Sequence, residues 1–182
     1  MPLEAHVETE DRIPDDIIEE MKAMGLFGLS IPEEYGGLGF NMVDDVNVNI
    51  IFCHTTPPFS TIFGTNIGIG AQGIVIDGTE DQKKKYLPQM ASGQTISAFA
   101  LTEPGSGSDA ASLKTTAIKD GDHYVLNGTK RYITNAPEAG IFTVMARSDP
   151  KTPGSAGISA FIVEMDLPGL SIGKCDVKMG QQ

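Results

Sequence analysis

Residues 102–109 have the composition of a phosphate-binding loop. They read Thr-Glu-Pro-Gly-Ser-Gly-Ser-Asp and follow an apolar run, residues 96–101, that predicts a strand. Glycines and short hydroxyl side chains let backbone N–H groups approach an anionic ligand closely. The alternative is an ordinary surface turn, because Pro-Gly and Ser-Gly are turn signals and short glycine motifs often match by chance. Taken alone, the segment favours the surface turn.

A second segment, residues 130–135, changes that balance because it offers complementary chemistry. It reads Lys-Arg-Tyr-Ile-Thr-Asn, so Tyr132 supplies a flat apolar surface and Thr134 supplies a hydroxyl and a backbone N–H. An isoalloxazine ring needs such a wall and such donors to its polar edge. Thr102 supplies a second hydroxyl if the two strand ends lie side by side. The alternative is an aromatic cross-strand pair on a barrel, and the residue types alone do not rank the two.

The elements that must position these segments fall into two halves with different hydrophobic periods. Residues 1–92 predict a helical domain, whereas residues 93–182 show the alternation and turn signals of strands. The predicted helices span residues 15–24, 42–54, 58–78 and 79–86. The predicted strands span residues 96–101, 114–119, 123–127, 141–148 and 158–164. We expect the helices at 42–54 and 58–78 to be buried, and Pro88 to end the last helix.

The strands predict the fold class. No crossover helices separate them, so they are candidates for antiparallel pairing. Asp120-Gly121 and Asn127-Gly128 are turn signals at hairpin spacing. We therefore expect an α+β fold, in which the helical N-terminal domain is followed by an antiparallel β-barrel or sandwich.

Composition excludes several classes of function. The chain has 24 acidic and 13 basic residues and a net charge of −11, which argues against non-specific binding to nucleic acid or to an anionic membrane. Its two cysteines, Cys53 and Cys175, form no CxxC or Cys/His cluster, so we expect no metal site and a reducing compartment. The acidic start of the chain is not a signal peptide, and no apolar run approaches the ~20 residues of a membrane helix.

Both chemistry-bearing segments resemble signature motifs of the flavin-dependent acyl-CoA dehydrogenase family. Residues 98–112, with the core LTEPGSGSD, resemble the first motif, and residues 127–135, NGTKRYITN, resemble the second at the expected spacing. Residues 26–40, which include IPEEYGG, resemble the N-terminal loop of the family. Residues 169–173, GLSIG, together with residues 178–180, KMG, resemble the end of its middle domain. These ordered matches cover nearly the whole chain.

The resemblance implies a set of cofactor-binding residues. They are Phe99, Leu101, Thr102, Gly107, Ser108, Tyr132, Ile133 and Thr134. In the family, the positions of Leu101 and Thr102 contact the flavin ring, and those of Tyr132 and Thr134 flank it near its reactive nitrogen. Ser108 is also implied in binding the acyl-CoA substrate. The family usually has Trp where this chain has Tyr132, so we expect the packing of the ring to differ.

The implied activity is the FAD-dependent α,β-dehydrogenation of an acyl-CoA thioester to the 2-enoyl-CoA, as in fatty acid β-oxidation. A carboxylate takes the α proton while the β hydride moves to the flavin, and hydrogen bonds polarise the thioester carbonyl. In the family the base is a Glu of a C-terminal helical domain, which would lie beyond Gln182, so we expect no catalytic residue in this chain. Glu103 lies inside the first motif, and we interpret it as structural.

The resemblance further implies that the chain is the N-terminal and middle part of a longer enzyme. We expect this part alone to expose apolar surface, to bind FAD weakly if it binds FAD at all, and to be inactive. An electron-transfer flavoprotein is implied as electron acceptor, a tetramer or dimer as the full-length assembly, and the cytoplasm, or the mitochondrial matrix in a eukaryote, as location. The alternatives are another flavoenzyme on the same scaffold, such as a nitroalkane oxidase or flavin monooxygenase, and a non-catalytic acyl-CoA-binding module.

Overall fold

The structure is a computed structural model and describes residues 2–10, 12–176 and 178. It has a helical unit, Met1–Ile96 with Gly173–Gln182, and a sheet unit, Ser97–Ile172. The predicted domain boundary follows residue 92, and the two units separate after Ile96. Residues 179 and 180, which belong to the last motif match, lie outside the described residues.

The helical unit contains α-helices joined by short turns. Its α-helices are α1 (Pro2–Glu10), α2 (Asp15–Ala23), α3 (Met42–Phe52), α4 (Pro57–Thr65), α5 (Gln72–Asp77) and α6 (Glu80–Ala91). Single 3-10 turns at Leu26–Gly28 and Glu33–Tyr35 lie in the loop between α2 and α3. The core is built around fully buried side chains that include Phe27, Leu29 and Phe63.

The ends of α2 and α6 show how local sequence defines the helices. Helix α2 ends before Gly25, whose φ of 77° is a left-handed conformation that suits glycine. Helix α6 begins with a capping box, in which Thr79 and Gln82 exchange hydrogen bonds between side chain and backbone. The prediction that Pro88 ends α6 is wrong, because the helix continues to Ala91. The buried Leu87, Met90 and Ala91 keep the last turn helical despite the N–H that proline lacks.

Helix α3 contradicts the expectation of a buried helix. None of its 11 residues is buried, and only Val48 and Phe52 pack, partly buried, against the core. Its exposed apolar side chains are Met42, Val43, Val46, Ile50 and Ile51. The composition of this helix is apolar on more than one face, so its sequence could not define which side meets the core.

The predicted helix at 58–78 is interrupted. Helix α4 passes into a π-helical segment, Asn66–Gly70, in which Gly68 has non-helical φ and ψ of −83° and −111°, and the chain resumes as α5. Taken as one segment, Pro57–Asp77 has 21 residues and contains an 18-residue window with a mean hydropathy of 1.3, enough by length and composition to cross a membrane, contrary to the expectation from the sequence. This is weak evidence for a membrane span, because core helices of soluble proteins pass the same test, and 39% of that window is buried.

The sheet unit contains one five-stranded sheet. Its strands are β1 (Ile96–Ala100), β2 (Thr116–Asp120), β3 (His123–Asn127), β4 (Ala139–Arg147) and β5 (Ile158–Glu164). Their order is β1-β4-β2-β3, with β5 paired to β4. The hairpins β2–β3 and β4–β5 are antiparallel, as predicted. Ala98, Ala139 and Phe142 form part of the core under the sheet.

The expectation of an antiparallel barrel or sandwich is wrong, because the sheet is mixed. Strand β2 lies parallel to β4, through the pair Thr116 and Arg147. A turn signal defines direction only for the two strands that it joins directly. Between β3 and β4 the chain makes the long excursion of residues 128–138, which returns β4 in the direction of β2. That excursion carries the second predicted motif.

Candidate functional site

The first motif folds as a tight turn that follows β1. The backbone N–H of Glu103 donates to the carbonyl of Ser106 at 2.9 Å, and the N–H of Ser106 donates back to the carbonyl of Glu103 at 3.1 Å. The hydroxyl of Ser106 donates to the carbonyl of Asp109 at 2.7 Å. Hydrogen bonds within the loop therefore hold the turn closed.

The carboxylate of Glu103 anchors this turn to the sheet. Its Oε2 accepts the N–H of Lys114 at 2.6 Å, and its Oε1 accepts the N–H of Thr115 at 2.9 Å and the Thr115 hydroxyl. The ammonium of Lys130 donates to the same Oε1 at 2.9 Å. Both charged side chains are largely buried, with 7% of Glu103 and 12% of Lys130 exposed.

These contacts determine the protonation state of Glu103. Burial alone would raise the pKa of its carboxyl, but the hydrogen bonds from Thr115, Lys130 and the N–H of Lys114 outweigh burial and lower that pKa to about 2. The side chain is consequently a carboxylate at neutral pH and a poor proton acceptor. This agrees with the interpretation of Glu103 as structural.

The second motif lies beside the first. Lys130 Nζ donates to the carbonyl of Leu101 at 2.9 Å, and the backbone N–H of Arg131 donates to the carbonyl of Thr102 at 2.8 Å. The two segments that sequence reasoning required to be neighbours are thus neighbours. The second segment is not the end of a strand, however, because β3 stops at Asn127 and residues 128–138 form an irregular connection.

This connection presents an aromatic ring from an unusual backbone conformation. Tyr132 has a φ of 59° and 69% of its surface is exposed. The Cζ of Arg131 lies 4.7 Å from the centroid of the Tyr132 ring, a cation–π contact. Asn135 also has a positive φ, 65°. Such conformations are rare in residues other than glycine, persist only where the surroundings impose them, and cluster at functional sites.

The glycines of the first motif test whether the loop fits a ligand. A Cβ added at Gly105 or Gly107 would meet no atom within 4 Å, and neither residue has a left-handed φ. Neither packing nor backbone conformation in the described residues therefore requires glycine there. By contrast, a Cβ at Gly128 would overlap the side chain of Thr115. The open space beside the first two glycines suits the close approach of a phosphate group.

The predicted cofactor-binding residues differ in exposure. Five of them are half-buried: Phe99 on β1, Leu101 and Thr102 after β1, and Ile133 and Thr134 in the second motif. The other three, Gly107, Ser108 and Tyr132, are exposed. Ile133 packs against the core of the sheet unit. The hydrogen bonds unite the end of β1 with the start of the second motif, and the exposed bend with Gly107 and Ser108 follows the Glu103–Ser106 turn.

Sequence reasoning missed the pairing of Glu103 with Lys130. One signal was present, since a carboxylate that lies shortly after an apolar strand needs a partner if it is buried. The partner is 27 residues away, and no local spacing rule identifies it. Among the described residues, no group of three or more His, Cys, Asp or Glu side chains could hold a metal ion.

Two family profiles match the chain. The profile of the acyl-CoA dehydrogenase N-terminal domain matches residues 1–94. The profile of the acyl-CoA dehydrogenase middle domain matches residues 98–182. Together they span both units described above.

Individual relatives agree with these profiles. A probable acyl-CoA dehydrogenase of Bacillus subtilis (strain 168) is 46% identical over 166 residues, which are 90% of this chain and 27% of the relative. The crystal structure of an acyl-CoA dehydrogenase from Bacillus anthracis, complexed with FAD, is 44% identical with a TM-score of 0.81, over 90% of this chain and 27% of that chain. A structure of the electron transferring flavoprotein of Acidaminococcus fermentans is 38% identical with a TM-score of 0.91, over 98% and 48%. The chain spans less than half the length of the curated relatives compared.

Proposed function

The chain belongs to the acyl-CoA dehydrogenase family, and on that premise we propose that it forms part of the flavin and substrate site of an enzyme that dehydrogenates acyl-CoA thioesters. The observation that carries the proposal is the union of the two motifs by hydrogen bonds from Lys130 Nζ and Arg131 N to the carbonyls of Leu101 and Thr102. FAD, when bound, would supply the hydride acceptor.

The residues beside this union supply the chemistry that a flavin requires. Leu101 and Tyr132 offer apolar surface for the ring, and Thr102 and Thr134 offer hydroxyl donors for its polar edge. Phe99 and Ile133 would lie beside the ring. The open glycine bend with Gly107 and Ser108 would receive the pyrophosphate, and Ser108 would also contact the acyl-CoA.

The proposal excludes Glu103 as the base that removes the α proton. Its carboxylate is held by Lys130, Thr115 and two backbone N–H groups, and its pKa of about 2 makes it a weak proton acceptor. We therefore assign the base to another carboxylate, which the family resemblance puts in a C-terminal helical domain. It follows that the 182-residue chain alone should not turn over acyl-CoA.

Further parts of the proposal rest on similarity alone. An electron-transfer flavoprotein is proposed as electron acceptor, supported by the likeness to the Acidaminococcus fermentans structure. A homo-oligomer of the full-length enzyme and a cytoplasmic or mitochondrial-matrix location are proposed from the family resemblance.

Amide NMR of the chain during titration with FAD tests the proposal, because it detects weak binding and locates it. We expect the resonances of Thr102, Tyr132 and Thr134 to shift, and the Thr134→Val variant to respond less because it lacks the hydroxyl. The matched control is Thr116→Val on β2, which should respond as the wild type does. Shifts confined to the helical unit, or no shifts at the highest FAD concentration that can be reached, would contradict the proposal.

A second measurement separates dehydrogenation from the alternative functions. In a longer protein that contains this chain and retains flavin, a saturated acyl-CoA added without oxygen should bleach the flavin, because hydride transfer reduces it. Bleaching by a nitroalkane instead would favour an oxidase. Binding of acyl-CoA without bleaching would favour a non-catalytic module.

A further inference from the structure

We propose that Lys130 is a positioning residue of the proposed flavin site, an inference that rests on the proposed function. Its ammonium group holds two acceptors at once, the carbonyl of Leu101 and the carboxylate of Glu103, each at 2.9 Å. Through them it ties the end of β1 to the connection that presents Tyr132. The two surfaces proposed to contact the ring are thereby kept at a constant separation.

Chain connectivity makes this coupling direct. Leu101 and Thr102 immediately precede Glu103, and Arg131 and Tyr132 immediately follow Lys130. No further residue of the backbone therefore separates Glu103 and Lys130 from the residues proposed to contact the flavin. Loss of the ammonium group removes the side-chain link between the two segments.

The ammonium group of Lys130 binds an acceptor that is itself held in place. The Glu103 carboxylate is held by the N–H groups of Lys114 and Thr115, immediately before β2, so the acceptor that Lys130 meets is anchored in the sheet unit. A lysine side chain is flexible and loses rotamer entropy when it is held. The burial of both charges makes separation of the pair costly, because each would then lack its partner away from water.

Tyr132 depends on this anchor more than an ordinary residue would. Its φ of 59° is sparsely populated outside glycine and persists only when neighbouring contacts impose it. The contacts that precede it are the Arg131 N–H to the Thr102 carbonyl, at 2.8 Å, and the two bonds of Lys130. Loss of Lys130 removes two of the contacts that hold the chain just before Tyr132 and leaves the Arg131–Thr102 backbone bond among those that remain.

The test measures hydrogen exchange in the FAD-free chain and FAD binding by NMR titration, with Lys130→Met as the main variant. This substitution keeps an unbranched side chain and removes the charge and the donors. We expect exchange of the Arg131 amide to become about tenfold faster, with the β4–β5 amides unchanged, and FAD to bind about tenfold more weakly. Lys130→Arg, which keeps a cation, should recover part of both effects. The control is Lys119→Met, an exposed lysine of β2.

The outcomes separate positioning from general stabilisation. Faster exchange throughout β4 and β5 would show that Lys130 merely stabilises the unit, and unchanged exchange at Arg131 would show that it does not hold the connection; either result overturns the inference. A wild-type chain without any FAD response overturns the proposed function, and the inference falls with it. A normal response to FAD in Lys130→Met overturns the inference alone.

A second variant keeps the test decisive if Lys130→Met does not fold. Glu103→Gln retains the shape of the side chain and leaves the Lys130 bond to Leu101 in place. We expect faster exchange at the amides of Lys114 and Thr115, which lose a charged acceptor, and a smaller change at Arg131. Equal acceleration at all three amides would contradict the assignment of the positioning role to Lys130.

Discussion

Glu103 directs its carboxylate away from solvent, towards the N–H groups of Lys114 and Thr115 and the ammonium of Lys130. A carboxylate inside a glycine-rich motif suggests a catalytic role. The hydrogen bonds from these partners instead stabilise the ionised form of Glu103. A buried charge is tolerated only with such pairing. The same residue type serves structure here because its neighbours favour the ionised form.

The pKa of Glu103 predicts a pH dependence of stability. Its folded-state pKa of about 2 lies below the ordinary value of 4.5, so the unfolded chain binds more protons between these values. The stabilising contribution is therefore complete above pH ~4.5 and is lost as the pH falls towards ~2. Urea unfolding midpoints measured across this range should fall less steeply with acid in Glu103→Gln than in the wild type. Parallel pH profiles for the two proteins would show that Glu103 does not contribute.

At the scale of elements, neighbouring residues determine some features of the fold, and contacts between distant segments determine others. The capping box at Thr79, the left-handed Gly25 and the β2–β3 hairpin are set by neighbouring residues, and each was predictable. The exposure of α3 and the parallel pairing of β2 with β4 depend on which distant segments meet. Periodicity describes one element at a time and does not contain that information.

The candidate site divides in the same way. The residue types at Thr102, Tyr132 and Thr134 were readable from the motifs, and their proximity was a condition that the sequence could state but not establish. Two of the contacts that create the proximity run from the ammonium of Lys130 to the carbonyl of Leu101 and to the carboxylate of Glu103, which are 29 and 27 residues away in the sequence. Buried polar contacts over such separations leave no periodic trace in a single sequence.

Alanine substitution at two glycines beside the site is expected to change the free energy of unfolding by different amounts. Gly107→Ala should leave the free energy of unfolding within ~0.5 kcal/mol of the wild type, because the new Cβ meets open space. Gly128→Ala should cost about 2 kcal/mol, because its Cβ overlaps Thr115. Denaturant unfolding of both variants measures this contrast.

In the FAD titration, the folded Gly107→Ala chain should bind FAD more weakly than the wild type, since the added methyl group occupies the space proposed for the phosphate. Unimpaired binding would argue that the phosphate lies elsewhere.

At the scale of the whole molecule, the net charge and the exposed apolar side chains have opposite effects on solubility. The net charge of −11 favours solubility through repulsion between molecules. Large apolar side chains are nevertheless exposed along α3, including Met42 at 77% and Ile51 at 68%. Several large exposed apolar side chains on one short helix make α3 a candidate surface for association with another apolar surface. The chain thus combines a net negative charge with one helix that exposes several apolar side chains to water.

Dye binding tests whether α3 carries the dominant apolar surface. A neutral dye such as Nile red is appropriate, because the chain's negative charge would repel an anionic probe. We expect strong fluorescence from the wild type and a clear reduction in Ile51→Gln, which removes an exposed apolar side chain without changing net charge. The matched control is Ile118→Gln on β2, where an isoleucine of similar exposure, 64%, lies outside α3. Equal reductions in the two variants would mean that apolar exposure is dispersed over the chain and that α3 has no special role.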